Sequence, residues 1–85
     1  MWMAIRENGE EFIINLSEVD DISLRHTKCG GYFIEFCGSS TFRICFRDFS
    51  EAYKAYLKIL NTLQHPDGTK LIDLRGFKTD SDYYE

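Results

Sequence analysis

Along residues 32–46, YFIEFCGSSTFRICF, apolar side chains occupy every second position on both sides of a Gly-Ser-Ser break. Such alternation marks strands with one buried face, and two runs joined by a short polar break predict a hairpin. With Gly38, Ser39 and Ser40 as the loop, Cys37 falls opposite Thr41, and Phe36, Ile34 and Tyr32 face Phe42, Ile44 and Phe46 on one side. Glu35 then sits opposite Arg43 on the other side, a favourable cross-strand pair. A slip of one residue would turn the aromatic set to water, so the register is well specified. Phe33, Cys37 and Cys45 occupy positions that the alternation leaves to solvent. Either the C-terminal segment from Leu71 to Phe77 covers Phe33 and Cys45, or a partner does.

The same period runs through the first half of the chain. Asn8-Gly9 between two apolar runs is a hairpin signal, because both central residues of a type I′ turn need positive φ. A two-residue loop pairs Glu7 with Glu10, Arg6 with Glu11, Ile5 with Phe12 and Met3 with Ile14. LSEVDD breaks the alternation and reads as a connection. ISLRH resumes it, and a turn at TKCGG brings His26 opposite Tyr32, Leu24 opposite Ile34 and Ile22 opposite Phe36.

From residue 48 the period changes. Phe49, Ala52, Tyr53, Tyr56, Leu57, Leu60 and Leu63 follow the i, i+3, i+4 rule of an amphipathic helix. Asp48 or Ser50 suits its N-cap, and Glu51 three residues after Asp48 has capping-box spacing. Pro66 and the Asp67-Gly68 turn end it. KLIDL reads as a last short strand. The predicted fold is α+β: a five-stranded antiparallel meander packed on one face by a single helix, then a final strand. Residues 1–78 form one domain, and 79–85 an acidic-aromatic tail. Over residues 2–63 the order of elements resembles a trimmed pleckstrin-homology-type domain, without its basic phosphoinositide-binding motif.

Composition sharpens this picture in two respects. The 85 residues are 44% hydrophobic and 15% aromatic, enough apolar bulk for a folded core rather than a disordered chain. The net charge of −4 opposes the usual balance of a small nucleic-acid binder, whose affinity for phosphate comes mainly from Lys and Arg. An odd count of three cysteines without a Cys-x-x-Cys, and no transmembrane run or secretory leader, suit reduced thiols in the cytoplasm.

Candidate chemistry is sparse. Cys29, Cys37, Cys45, His26 and His65 are metal-ligand types, but the predicted register holds Cys37 and Cys45 roughly 13 Å apart, too far for ligands about 2.3 Å from one ion. No third group orients a Cys–His pair, and Gly30-Gly31 opens a strand rather than a phosphate-cradling helix. The expectation is a protein that is no enzyme and needs no metal or cofactor.

Binding residues are easier to nominate. On the outer sheet face Arg25, Phe33, Glu35, Arg43, Cys45 and Arg47 project together. Acidic residues crowd the first 21 positions, with Glu18, Asp20 and Asp21 at one connection, and Asp80, Asp82, Tyr83 and Tyr84 close the chain. Phe33, Glu35 and Arg43 with these acidic groups form the candidate partner-binding set, and acidity fits docking on a basic surface. In size, acidity and lack of catalytic motifs the chain resembles small phage-encoded anti-defence proteins, anti-CRISPRs among them, though its ten basic residues depart from a nucleic-acid mimic. The resemblance implies a protein-binding inhibitor in a host cytoplasm. Two further readings are a single-stranded nucleic-acid binder using Arg25, Phe33, Arg43 and Arg47, and a small-ligand carrier with a pocket at Tyr32, Tyr53 and Tyr56. Exposed sheet edges also admit a homodimer.

Overall fold

The computed structural model describes residues 1–7, 9–28, 30–65, 68 and 71–79. Strands β1 (Trp2–Glu7), β2 (Glu10–Asn15), β3 (Val19–His26), β4 (Tyr32–Gly38) and β5 (Thr41–Phe46) precede helix α1 (Phe49–Gln64) and strand β6 (Leu71–Asp73). The fold is α+β. All three hairpin registers are those predicted, from Ile5 opposite Phe12 to Glu35 opposite Arg43. Gly9 takes the left-handed φ of 77° that its turn requires; Asn8 lies outside the described residues.

The meander, however, is broken. The strands form two three-stranded sheets, ordered β2-β1-β6 and β3-β4-β5, so β2 and β3 are not neighbours. The reason lies in the connection at 16–18. The Leu16 N–H donates to the Met1 carbonyl at 2.8 Å, which carries the β1–β2 ladder one pair past Trp2 and Asn15. Leu16 is buried, and the Val19 N–H closes the turn on the Leu16 carbonyl at 3.1 Å. β3 then opens with a register irregularity between Val19 and Asp21. On the edge of β1 opposite β2, β6 joins in parallel and sets Ile72 beside Met3.

α1 begins where Asp48 accepts a hydrogen bond from the Ser50 N–H at 3.0 Å, as an N-cap should. Glu51 accepts from the Lys78 N–H at 3.2 Å, and so anchors the C-terminal segment. The helix packs on β3, β4 and β5 and also reaches β6. Ala52, Ala55 and Ile59 enter one core with Met3, Ile5 and Ile72 of the first sheet and Ile34, Phe36, Ile44 and Phe46 of the second. Among the described residues, no helix is long and apolar enough to cross a membrane. Pro66 and Asp67, expected to end α1, are outside the described residues, as is the tail from Asp80.

The β2–β3 connection leans directly on the β4–β5 turn. A Cβ built on Gly38 would collide with the Glu18 carbonyl, and the Ser39 hydroxyl donates to the Glu18 carboxylate at 2.8 Å. Gly38→Ala is therefore expected to lower stability by about 1–3 kcal/mol. Gly76→Ala, where a Cβ meets nothing within 4 Å, should shift it by no more than about 0.5 kcal/mol. Thermal unfolding of the two variants beside wild type measures both.

Candidate interaction surfaces

The outer face of the second sheet is a grid set by register. Arg25, Phe33 and Cys45 form one row across β3, β4 and β5; Ser23, Glu35 and Arg43 form the next. Phe33 is only 5% exposed and Cys45 1%. The C-terminal segment is not what covers Phe33. It runs to β1 and α1, where the Leu74 N–H meets the Ala4 carbonyl at 2.8 Å and the Thr79 hydroxyl meets the Arg6 carbonyl at 2.7 Å. Arg43 instead lies over Phe33, its guanidinium carbon 4.7 Å from the ring centre. Glu35 holds it there, accepting from Arg43 Nε at 2.9 Å, while Arg25 Nε stands 3.7 Å from the other carboxylate oxygen.

This arrangement bears on two expectations about the face. A ring beneath a guanidinium offers no open surface on which a base could stack. The central carboxylate is flanked by both arginines rather than left for a partner. The hydrogen bond from Arg43 is the main reason the Glu35 pKa lies below its ordinary value, against the opposing effect of burial. Arg47 lies elsewhere, lining a shallow dish with Tyr32, Asp48, Phe49 and Lys78 at the start of α1.

At the proposed tyrosine pocket the aromatic rings pack on one another. Phe49 stands between Tyr32 and Tyr53, its centroid 5.1 Å from the first and 5.5 Å from the second. Tyr56 rests half-buried against the core. Among the described residues no three of His, Cys, Asp and Glu gather as a metal would need. Cys29 lies outside the described residues.

The acidic candidates separate into three environments. Glu11 accepts from Arg6 at 2.7 Å and Arg75 at 3.3 Å, bonds that lower its pKa. Asp73 receives a two-pronged Arg75 contact at 2.9 and 3.0 Å that holds its carboxyl far below the usual range. Glu18, Asp20 and Asp21 are exposed, and among the described residues no cation pairs with them; the Glu18 carboxylate accepts from the Ser39 hydroxyl. Asp80, Asp82, Tyr83 and Tyr84 lie outside the described residues.

Two surfaces were not singled out by sequence. The first is a flank of α1. Phe49, Tyr53 and Leu57 recur at i, i+4 and i+8, and each is between 44 and 48% exposed. At 3.6 residues per turn, the apolar arc from Ala55 round to Leu57 spans about 200°, wider than a helix on one sheet requires. The helical periodicity names Phe49, Tyr53 and Leu57 but omits Ala55 and Ile59, which with Ala52 are the buried residues of α1. The second is β2, whose Phe12 and Ile13 are exposed on opposite faces. No protein-family model, curated protein or solved structure matches the chain.

The Glu35 contacts have a pH signature. A carboxylate whose folded pKa is depressed contributes stability that is present above its unfolded pKa and lost as pH falls through the folded value. Wild-type melting temperature should fall progressively below about pH 4.5. Glu35→Gln should be less stable at neutral pH and show a shallower acid decline. An acid limb unchanged by the substitution would contradict the assignment of this group.

Proposed function

We propose that the chain is a non-enzymatic protein-interaction module, acting as a small inhibitor of the anti-defence type that covers a basic surface on its partner. The observation that carries the protein-binding reading is the uncovered flank of α1, where Phe49, Tyr53 and Leu57 align along the helix. An apolar helix face beyond what the fold covers marks a protein contact. Aromatic side chains at such a site supply area at low entropic cost.

The sign of the partner's surface rests on Glu18, Asp20 and Asp21. Their carboxylates are exposed and, among the described residues, unmatched by cations, so they add attraction toward a basic patch and speed encounter. Cys37 is a free thiol, consistent with a reducing cytoplasm.

The test is capture from native-host lysate with the full chain, identification by mass spectrometry, and affinity measured on the purified partner. Tyr53→Lys together with Leu57→Lys should weaken binding by roughly tenfold or more, equivalent to at least about 1.4 kcal/mol. Reversal of Glu18, Asp20 and Asp21 to Lys should slow association and flatten its salt dependence. Affinity untouched by the helix pair removes the docking face, and association untouched by the reversal removes the basic partner. Capture that vanishes on nuclease treatment would instead favour nucleic acid.

A further inference from the structure

Among the described residues β2 is an edge strand, with β1 on one side only. Which of its backbone groups face outward follows from hydrogen bonds on β1. The Met1 carbonyl accepts from Leu16, on the β2 side, whereas the Ala4 carbonyl accepts from Leu74, on the β6 side. Backbone groups alternate in direction along a strand. Residues 3, 5 and 7 of β1 therefore bond residues 14, 12 and 10 of β2, following the observed register. The N–H and C=O groups of Glu11, Ile13 and Asn15 point away from the sheet.

Side chains on this edge are equally unsettled. Phe12, Ile13 and Ile14 are consecutive, so both faces of β2 are apolar, as in strands covered on both sides. Ile13 is 68% exposed, the largest value among the exposed large hydrophobic residues. It sits on the outer face beside Ala4, with exposed Trp2 and Leu71 in the neighbouring row. Phe12, also exposed, lines a groove with Ile5, Ile14 and Phe42 on the other side.

We propose that this edge pairs with β2 of a second copy, antiparallel about a two-fold axis at Ile13. In that register the outward groups of Ile13 meet those of its symmetry mate, and those of Glu11 meet those of Asn15. Phe12 packs against Ile14 on the inner face, Ile13 against Ile13 on the outer. The charge pattern is self-complementary. The Asn15 side-chain oxygen already accepts from the Ser17 N–H at 3.0 Å, which leaves its amide hydrogens to donate toward the opposing Glu11 carboxylate. Sliding the pair by two residues toward the hairpin turn sets Glu11 against Ile13, and by four sets Glu11 against Glu11, a like-charge pair. The glutamates thus oppose registers slid toward the turn and penalise open-ended stacking. The contact is isologous, so it closes at two copies and joins each copy's three strands into one continuous sheet.

Other edges are less suited to this. β3 opens with its irregularity and two aspartates, β5 carries Arg43 within it, and β6 is three residues long. The inference stands apart from the α1 docking face and uses none of its residues.

Sedimentation equilibrium on the full chain from about 1 μM to about 1 mM tests it. Wild type should pass from 10.0 kDa to twice that mass, with the amides of Glu11, Ile13 and Asn15 gaining protection from hydrogen exchange at high concentration. Ile13→Lys places two ammonium groups opposite each other and should weaken the dimer by roughly tenfold or more. Its substitution site is exposed, so an unchanged melting temperature when dilute confirms that it folds. Leu57→Lys should leave dimerisation intact. A wild type that stays at 10.0 kDa throughout, a dimer that survives Ile13→Lys, or one abolished by Leu57→Lys would overturn the proposal.

Discussion

The burial of Ala52, Ala55 and Ile59 is the contact on which the rest of the molecule depends. Its two sheets share no strand ladder among the described residues, so they are held in one core by the helix that touches both. Two of the three residues at the centre of that contact are alanines, which let the helix backbone come close to the Ile34, Phe36, Ile44 and Phe46 layer. A packed interior resists added volume, so these positions fix the height of α1 above the sheet. The C-terminal segment then closes over the helix's other side. Lys58 Nζ donates to the Asp73 carbonyl at 2.7 Å, and Glu51, an acid favoured in a first helical turn, receives the Lys78 N–H.

With the helix so placed, apolar residues left outside the common core meet different ends. Phe33 is sealed by the chain's own charges, because Glu35 can hold Arg43 across its ring. Tyr53 and Leu57 stay part-exposed along the flank of α1, and Phe49 meets β4 through the Tyr32 ring while remaining part-exposed. Ile13 is exposed in a different sense, on an edge that stays open because β3 joins the other sheet instead of continuing the meander. The same departure that splits the sheet therefore exposes both the backbone and the side chains of β2. What looks like unfinished packing in a single copy is a consequence of one turn.

Pairwise register was legible in the sequence because it is local. Period-two alternation, Asn8-Gly9 and the Gly38–Ser40 loop specify which residues oppose one another, and β1–β2, β3–β4 and β4–β5 each follow. The Asp48 cap and the helical period specify α1 for the same reason. Sheet order was not legible, since nothing in LSEVDD distinguishes a return beside β2 from a passage to the other sheet. That choice depends on Leu16 finding a buried site and on Glu18 meeting Gly38 and Ser39, both non-local. The cover over Phe33 was half legible: Glu35 opposite Arg43 was evident, but the diagonal reach of the guanidinium over the ring depends on side-chain conformation. Counting apolar helix positions misled in a simpler way, because periodicity gives an arc and not the width of what faces it.

Charge shows the same dependence on three-dimensional placement. Counted along the chain, acidity is concentrated in the first 21 residues, with Glu7, Glu10 and Glu11 adding to Glu18, Asp20 and Asp21. In the fold, Glu11 is drawn into a network with Arg6 and Arg75, and Arg75 also clasps Asp73. This network spans β2, β1 and the segment after β6, so its carboxylates serve the first sheet and have little field to offer a partner. The acid available for long-range attraction is thereby shifted from the hairpin turn toward the β2–β3 connection. There the sheet's irregularity between Val19 and Asp21 presents Asp20 and Asp21 to solvent. Net charge alone describes solubility; the position of charges left uncompensated is what gives the molecule an electrostatic direction.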